Sequence, residues 1–413
     1  MPPRSDAPRW IVLEPGLRHD SGHQRAFALA LPAVAAARGM RIEIYGGTTL
    51  SAEVAAATGA VPLFRTGPIA GPFRRPLTIA IERFLRSSRD MASDLAGPSA
   101  PRVGRDDIVL VPTAYPWLMA AIGEWLAAMA VTARPRLVAT YHDGEGLFVG
   151  TGSAITFDQA QIAHPIAAIE AAIPRERFLI TATNHPLCRR LADLTGRAVG
   201  WTPVGNPVER FATDVPAAAR GDRPDAPRIA IVGAPRREKG AGGLARLVGA
   251  IRARCPEAPI FVQSAGPGGR IDPGPGVTVH DGELADDAYR AAIVGAAIVV
   301  LPYNAVRYRG RVSGVFVDAV AAGCITVAPA GTWMAERIRA GRAAGVSFER
   351  DAPAVIAAAV ARAIGDLEVL SARAAAIAPR WRAAVGPGPY VARIERLLAD
   401  LPRTIAPAAA NGA

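Results

Sequence analysis

Lysine is almost missing from this chain. Of its 47 basic residues, 46 are arginine, and the exception is Lys239. Cysteine is scarce as well: Cys188, Cys255 and Cys324 are isolated, odd in number and without metal-ligand spacing. That excludes a disulfide scaffold and a cysteine-based metal cluster, and it fits small buried thiols in a reducing compartment. No apolar run approaches the roughly 20 residues needed to span a bilayer. The first residues, Met1-Pro2-Pro3-Arg4-Ser5-Asp6, lack the apolar stretch of a secretory signal. A cytoplasmic protein is therefore expected, with the inner face of the membrane as a possible working surface.

Aromatic residues make up 6% of the chain, and none interleave with a basic stripe. The net charge of +11 is not concentrated in a tail. Residues 1–205 carry 21 basic and 17 acidic groups, and the remainder carries 26 and 19. A nucleic-acid binder is expected to show a basic face or block. A spread excess fits an anionic small molecule or an anionic membrane better.

What is present is a repeating rhythm. Apolar, strand-like runs occur at 10–14, 41–45, 107–112, 136–141 and 177–182, then at 228–233, 259–263, 276–280, 297–302 and 324–328. Each run is continuous rather than alternating, as expected of strands buried on both faces. Helical stretches at 24–38, 116–130, 185–195 and 241–254 separate them. The pattern predicts doubly wound parallel sheets. At 413 residues the chain should hold roughly two to three domains. The break falls where periodic residues give way to Ala, Pro, Gly and charge between 205 and 225. The expected division is 1–205, 206–385, a C-terminal helix segment 386–402 in which Gly-Pro-Gly-Pro breaks the chain and the helical pattern resumes over 390–401, and a disordered tail over 403–413.

Two strand-to-helix junctions of the second half carry cations. The first is Gly233-Ala234-Pro235-Arg236-Arg237-Glu238-Lys239-Gly240, with a helix expected from Ala241. Ligands of open parallel sheets bind at the carboxyl ends of strands. Helix N-termini there offer unpaired amides to anions. Lysine is a compact ammonium on a flexible stem, unlike the planar arginine fork, so its retention at this one position is informative. The second junction runs from Pro302 to Ala319. There Arg307, Arg309 and Arg311 lead into Ser313 as a helix cap, Gly314 allows close backbone approach to a phosphate, and Asp318 follows about one turn into the helix. A diphosphate ligand suits two such junctions, with Asp318 available to vicinal hydroxyls. A plain charged turn or capped helix would have the same composition.

The second half resembles the donor-binding domain of glycosyltransferase family 4, of the GT-B fold, through Gly233 to Gly240, Pro302 through Gly314 to Asp318-Ala319, and Gly323 to Ala328. The first half is similar more loosely, through Ser21-Gly22-His23, Arg38-Gly39 and Thr140-Tyr141-His142-Asp143. The resemblance implies two Rossmann-like α/β domains facing a central cleft. It implies a retaining transfer of a sugar, of hexosyltransferase type, from a nucleotide-sugar donor to a hydroxyl acceptor (glycan or lipid-linked). The setting would be bacterial polysaccharide or glycolipid synthesis, without a metal or other cofactor. By matching position, Arg236 and Lys239 would hold the diphosphate, with Lys239 offsetting charge on the leaving nucleotide. Ser313, Gly314 and Val315 would cradle phosphate, Asp318 would bind ribose, Gly22 would let the first loop close, and His142 would line the donor sugar.

Two departures from the family stand out. Ala234 occupies the usual basic position, and Arg236, two residues on, is the expected substitute. Of the paired glutamates expected at 310 and 318, the chain has Gly310 and Asp318, with Arg309 or Arg311 near the gap. Acceptor-side candidates are His19, His23, Asp143 and Glu145, all of them also readable as loop residues. A basic amphipathic stretch at 72–90 can lie on an anionic membrane or pack on its own domain. A nucleotide-sugar epimerase and a non-catalytic nucleotide-sugar-binding partner remain alternatives.

Overall fold

A computed structural model describes residues 8–18, 22–67, 77–143, 147, 156–223, 226–264 and 271–401. The chain divides into two compact units: residues 1–202 with 390–413, and residues 203–389. The first unit holds a seven-stranded sheet of β1 (Arg9–Leu13), β2 (Arg41–Gly47), β3 (Val61–Phe64), β4 (Ile108–Val111), β5 (Arg136–Tyr141), β6 (Phe178–Ala182) and β7 (Gly200–Trp201). Their spatial order is β3-β2-β1-β4-β5-β6-β7, and every pair is parallel.

Successive residues of a strand point to opposite faces, and both faces here are apolar. Ile11, Leu13, Val109 and Val111 join a core with the helices Leu77–Ala96, Pro116–Ala128, Phe157–Ala172 and His185–Thr195. Trp10, Val12, Ile108 and Leu110 join a second core, with Phe27 and Leu31 of the helix His23–Arg38. The helix Pro387–Asp400 completes that face with Tyr390, Val391, Ile394 and Leu398. The Tyr390 hydroxyl is 2.6 Å from Thr140 Oγ1, which is 2.8 Å from Thr181 Oγ1, so the buried hydroxyls satisfy one another.

The second unit opens with a hairpin of β8 (Gly221–Arg223) and β9 (Ala226–Pro227). Its six-stranded sheet follows: β10 (Ile229–Ile231), β11 (Ile260–Ser264), β12 (Val277–Asp281), β13 (Ile298–Val300), β14 (Ile325–Pro329) and β15 (Gly345–Phe348). The order is β12-β11-β10-β13-β14-β15, again all parallel. Each sheet therefore reverses its strand order at one place: between β1 and β4, and between β10 and β13. Such reversal points open a crevice at the carboxyl ends of the strands.

Two boundaries differ from expectation. The helix expected from Ala241 begins at Leu244 and runs to Arg254; short 3-10 turns at Arg237–Lys239 and Ala241–Gly243 precede it. Gly242 and Gly243 resist the helical conformation, which delays its start. The last helix begins at Pro387, inside Gly-Pro-Gly-Pro, because proline suits the first turn of a helix. The preceding helix stops at Ala384, two residues before Gly386 at φ 121°. The expected tail over 403–413 lies outside the described residues. No described helix is long and apolar enough to cross a membrane.

Candidate functional site

The reversal point of the second unit gathers the cationic junctions. Gly233, just beyond β10, has φ 103°. A Cβ there would stand 2.6 Å from Val315 Cγ2 and 3.3 Å from Lys239 Nζ. Only glycine lets the first turn of the helix Gly314–Ala321 and the lysine head approach this strand end. Gly240, at φ 82°, lies on the end of β13, where a Cβ would overlap the carbonyl of Pro302. The Asn304 amide donates to the Glu238 carbonyl at 2.9 Å, which ties the two junction loops together. Lys239 and the Pro302-to-Gly314 segment thus share one patch, as the motif spacing suggested.

Within it, Lys239 Nζ lies 5.7 Å from the centroid of the buried Tyr303 ring. Tyr303 packs on Tyr308 with centroids 4.4 Å apart, and the Arg311 guanidinium lies 5.4 Å from the Tyr308 ring. Arg311 is 3.9 Å from Glu238. Burial, Arg236 and Arg311 lower the Lys239 pKa to about 8, against the opposing pull of Glu238. Arg236 is exposed and Lys239 half-buried. A cationic site that already disfavours its own charge gains when an anion arrives.

Ser313 is buried and its Oγ accepts from the Phe316 amide at 3.2 Å, capping the helix Gly314–Ala321. The amides of Gly314 and Val315 begin that helix and have no intrahelical acceptor. Gly314 is exposed and Val315 is buried. Asp318 is more enclosed than its motif position suggested, at 6% exposure. Its Oδ2 accepts from Tyr289 at 2.8 Å, and Asn206 also bonds the carboxylate. Burial pushes its pKa up to about 7, against Tyr289, Arg210 and Asn206.

Sequence reasoning missed Gln263. Its side chain accepts from the Gly233 amide at 2.9 Å and donates to the Gly282 carbonyl at 2.8 Å, bridging the loops after β10 and β12. A polar residue ending an otherwise apolar strand was the available signal.

The reversal point of the first unit is of the opposite character. Glu14, directly after β1, is 3% exposed. Its Oε1 accepts from the Gly16 amide at 2.9 Å and its Oε2 from Thr113 Oγ1 at 2.6 Å. Desolvation raises its pKa to about 7. Gln24 Nε2 donates to the Tyr115 hydroxyl at 3.3 Å in the same cluster, and Tyr115 is itself raised by burial and by Glu14. None of Glu14, Thr113, Tyr115 or Gln24 was singled out from the sequence.

Among the expected residues here, Gly22 has φ 94° and precedes the helix His23–Arg38, whose first residue is exposed. His142 follows β5, with Nε2 2.6 Å from the Pro112 carbonyl. A carbonyl only accepts, so Nε2 carries the proton and a neutral ring leaves Nδ1 as an acceptor. Burial lowers the His142 pKa, against Pro112 and Asp143. Asp143 is partly exposed beside it. His19 and Glu145 lie outside the described residues. Among the described residues no group of His, Cys, Asp and Glu has the arrangement of a metal site.

No protein-family profile and no curated protein matches the sequence. Solved structures do match in shape. A sucrose-phosphate synthase from Thermosynechococcus elongatus aligns with TM-score 0.65 and 15% identity, over 96% of this chain and 99% of its own. A UDP-forming α,α-trehalose-phosphate synthase from Burkholderia xenovorans aligns with TM-score 0.63 and 12% identity, over 96% and 99%. HepE from Anabaena, in complex with UDP-glucose, aligns with TM-score 0.61 and 12% identity, over 95% and 100%. The chain has the GT-B fold of these proteins.

Proposed function

We propose that this protein transfers a sugar from a nucleotide-sugar donor to a hydroxyl acceptor. The observation that carries the reading is the cluster of Lys239, Arg236 and Arg311 with the open helix amides of Gly314 and Val315 at one sheet reversal point. Three cations beside a helix N-terminus suit a diphosphate. The GT-B fold and the UDP-glucose seen in HepE support this ligand class, and they make a uridine diphosphate hexose the first donor to test.

In this reading Lys239 and Arg236 bind the donor diphosphate and stabilise the charge that develops as the nucleotide leaves. The protein's contribution is then positioning and electrostatics rather than bound metal. Anomeric retention and a hexosyl donor belong to the same proposal. Ser313 fixes the direction of the amides. Asp318 is the proposed ribose ligand, oriented by Tyr289 and Asn206. In the first unit, Nδ1 of His142 is suited to accept a proton from a hydroxyl. Glu14, bonded to Thr113, fixes the turn at Gly16. His142 as a donor-sugar contact and Asp143 as an acceptor contact complete the proposed set.

The acceptor is proposed to be a glycan or a lipid-linked molecule of bacterial polysaccharide or glycolipid synthesis, modified in the cytoplasm at the membrane. The helix Leu77–Ala96 supports the membrane part. Its first half leaves Leu77, Ile79, Ile81 and Leu85 exposed, alongside exposed Arg86 and Arg89. Exposed apolar side chains with arginines match an anionic lipid surface. The three unpaired thiols are compatible with a reducing compartment.

The test is nucleotide release from a donor panel with and without acceptors. Release that depends on acceptor supports transfer. Donor isomerised without acceptor would mean an epimerase, and binding without turnover a non-catalytic partner.

A further inference from the structure

A cavity of about 510 Å³ lies within the first unit, at the amino ends of its strands. It is therefore distinct from the reversal point at the carboxyl ends: Glu14 lies four residues along from Trp10, about 13 Å at the usual strand rise. Its volume is within the usual range of small-molecule sites, roughly 300–1,000 Å³. Its wall has two parts. Trp10, Ile108 and Leu398 are its apolar part, and Arg105, Arg136 and Arg177 its cationic part, with the first two arginines close enough to act on the charge of the third.

The arginines are short of partners. Neither the Arg105 nor the Arg136 side chain has a hydrogen bond or ion pair to any described residue. Arg177 reaches the carbonyls of Arg105 and Arg134, but its Nε is buried with nothing to donate to. Burial, Arg105 and Arg136 disfavour the charge on Arg177, against the opposing pull of Asp106 and Glu176. Two carboxylates also line the cavity. Glu395 is engaged by Arg38, and Glu176 adjoins Arg177 in sequence. Arg105 is exposed and Arg136 half-buried, so the open donor that costs stability until a ligand meets it is the buried Arg177 Nε.

We propose that this cavity binds a phosphomonoester with an apolar substituent, its phosphate shared by Arg105, Arg136 and Arg177 and its apolar part lying against Trp10, Ile108 and Leu398. Three separate guanidiniums suit the three oxygens of a phosphate better than the two of a carboxylate. The same chemistry is offered by a soluble phosphate ester and by a phosphatidate headgroup. The proposal does not depend on glycosyl transfer.

Calorimetry on the full chain with hexyl phosphate tests it, with inorganic phosphate and hexanol as partial ligands. In parallel, flotation is measured with phosphatidylcholine vesicles with and without phosphatidic acid. The double variant Arg105→Ala/Arg136→Ala provides the comparison. Hexyl phosphate should bind more tightly than either partial ligand, and the double variant should lose at least about tenfold. Phosphatidate-dependent flotation that disappears in the double variant, without hexyl phosphate binding, assigns the headgroup as the source. No binding to either probe, or binding equal in the double variant, overturns the proposal. Without ligand, the variant's Tm should hold or rise, because neither guanidinium has a partner to lose. A fall of several degrees would mark a structural role instead.

Discussion

The Lys239 ammonium lies 5.7 Å from the ring centroid of Tyr303, so the lysine that follows β10 rests on the residue that follows β13. This one relationship joins both cationic junctions at the reversal point of the second sheet. It depends on close backbone approach at Gly233 and Gly240, and on the tie between Asn304 and Glu238.

Gly240→Ala should separate the two junctions. The new methyl would meet the Pro302 carbonyl, and the residue would be held at φ 82°. Together these should cost about 1–3 kcal/mol. Denaturant unfolding should show the loss, and donor binding should weaken with it. Gly242→Ala, where a methyl meets nothing within 4 Å, is the matched control and should be near neutral.

Stability should respond to pH through Glu14 and Asp318. Both carboxyls are raised to about 7 in the folded chain, against about 4 when unfolded. The folded state therefore holds these protons more tightly. Their stabilising contribution is complete below about pH 4 and is lost as pH rises through 7. Glu14→Gln and Asp318→Asn should each flatten the fall in stability between pH 4 and 7, as read from urea midpoints. Unchanged slopes in both variants would contradict these assignments.

Much of the fold was legible because burial on both faces leaves continuous apolar runs, and all ten expected runs became strands. The short hairpin strands β8 and β9 were not seen, nor were β3, β7 and β15 of the two parallel sheets. The last three are edge strands of two to four residues, and Pro62, Gly200 and Gly345 dilute any strand signal. Lys239 was legible by contrast with the 46 arginines. Glu14 was not, because one carboxylate ending a strand reads the same whether it is buried or solvated. The enclosure of Asp318 depends on Tyr289 and Asn206, 29 and 112 positions away, and no local pattern records such a meeting. The arginine cavity is drawn from strand starts far apart in sequence for the same reason.

The exposed half of the helix Leu77–Ala96 should govern lipid contact. The triple variant Leu77→Ser/Ile81→Ser/Leu85→Ser should float several-fold less with anionic vesicles while keeping its Tm, since all three side chains are already exposed. Equal flotation would remove this helix from the proposed membrane contact.

Donor affinity should carry the titration of Lys239. Its pKa of about 8 leaves the ammonium charged at neutral pH and neutral above. Affinity for a nucleoside diphosphate should hold to about pH 7.5 and fall as pH rises through 8 to 9. Binding should also be accompanied by proton uptake near pH 8, because the anion restores the ammonium's pKa. Calorimetry in buffers of differing ionisation enthalpy reads both effects, and Lys239→Ala should show neither.

The most direct test of the account is nucleotide release from a panel of nucleotide sugars, with acceptor present, by the native chain and by Lys239→Ala. The account predicts acceptor-dependent release by the native chain and a loss of about 10²–10³-fold in the variant, with near-native Tm. Full activity in Lys239→Ala, or no response of the native chain to any nucleotide sugar, would contradict it.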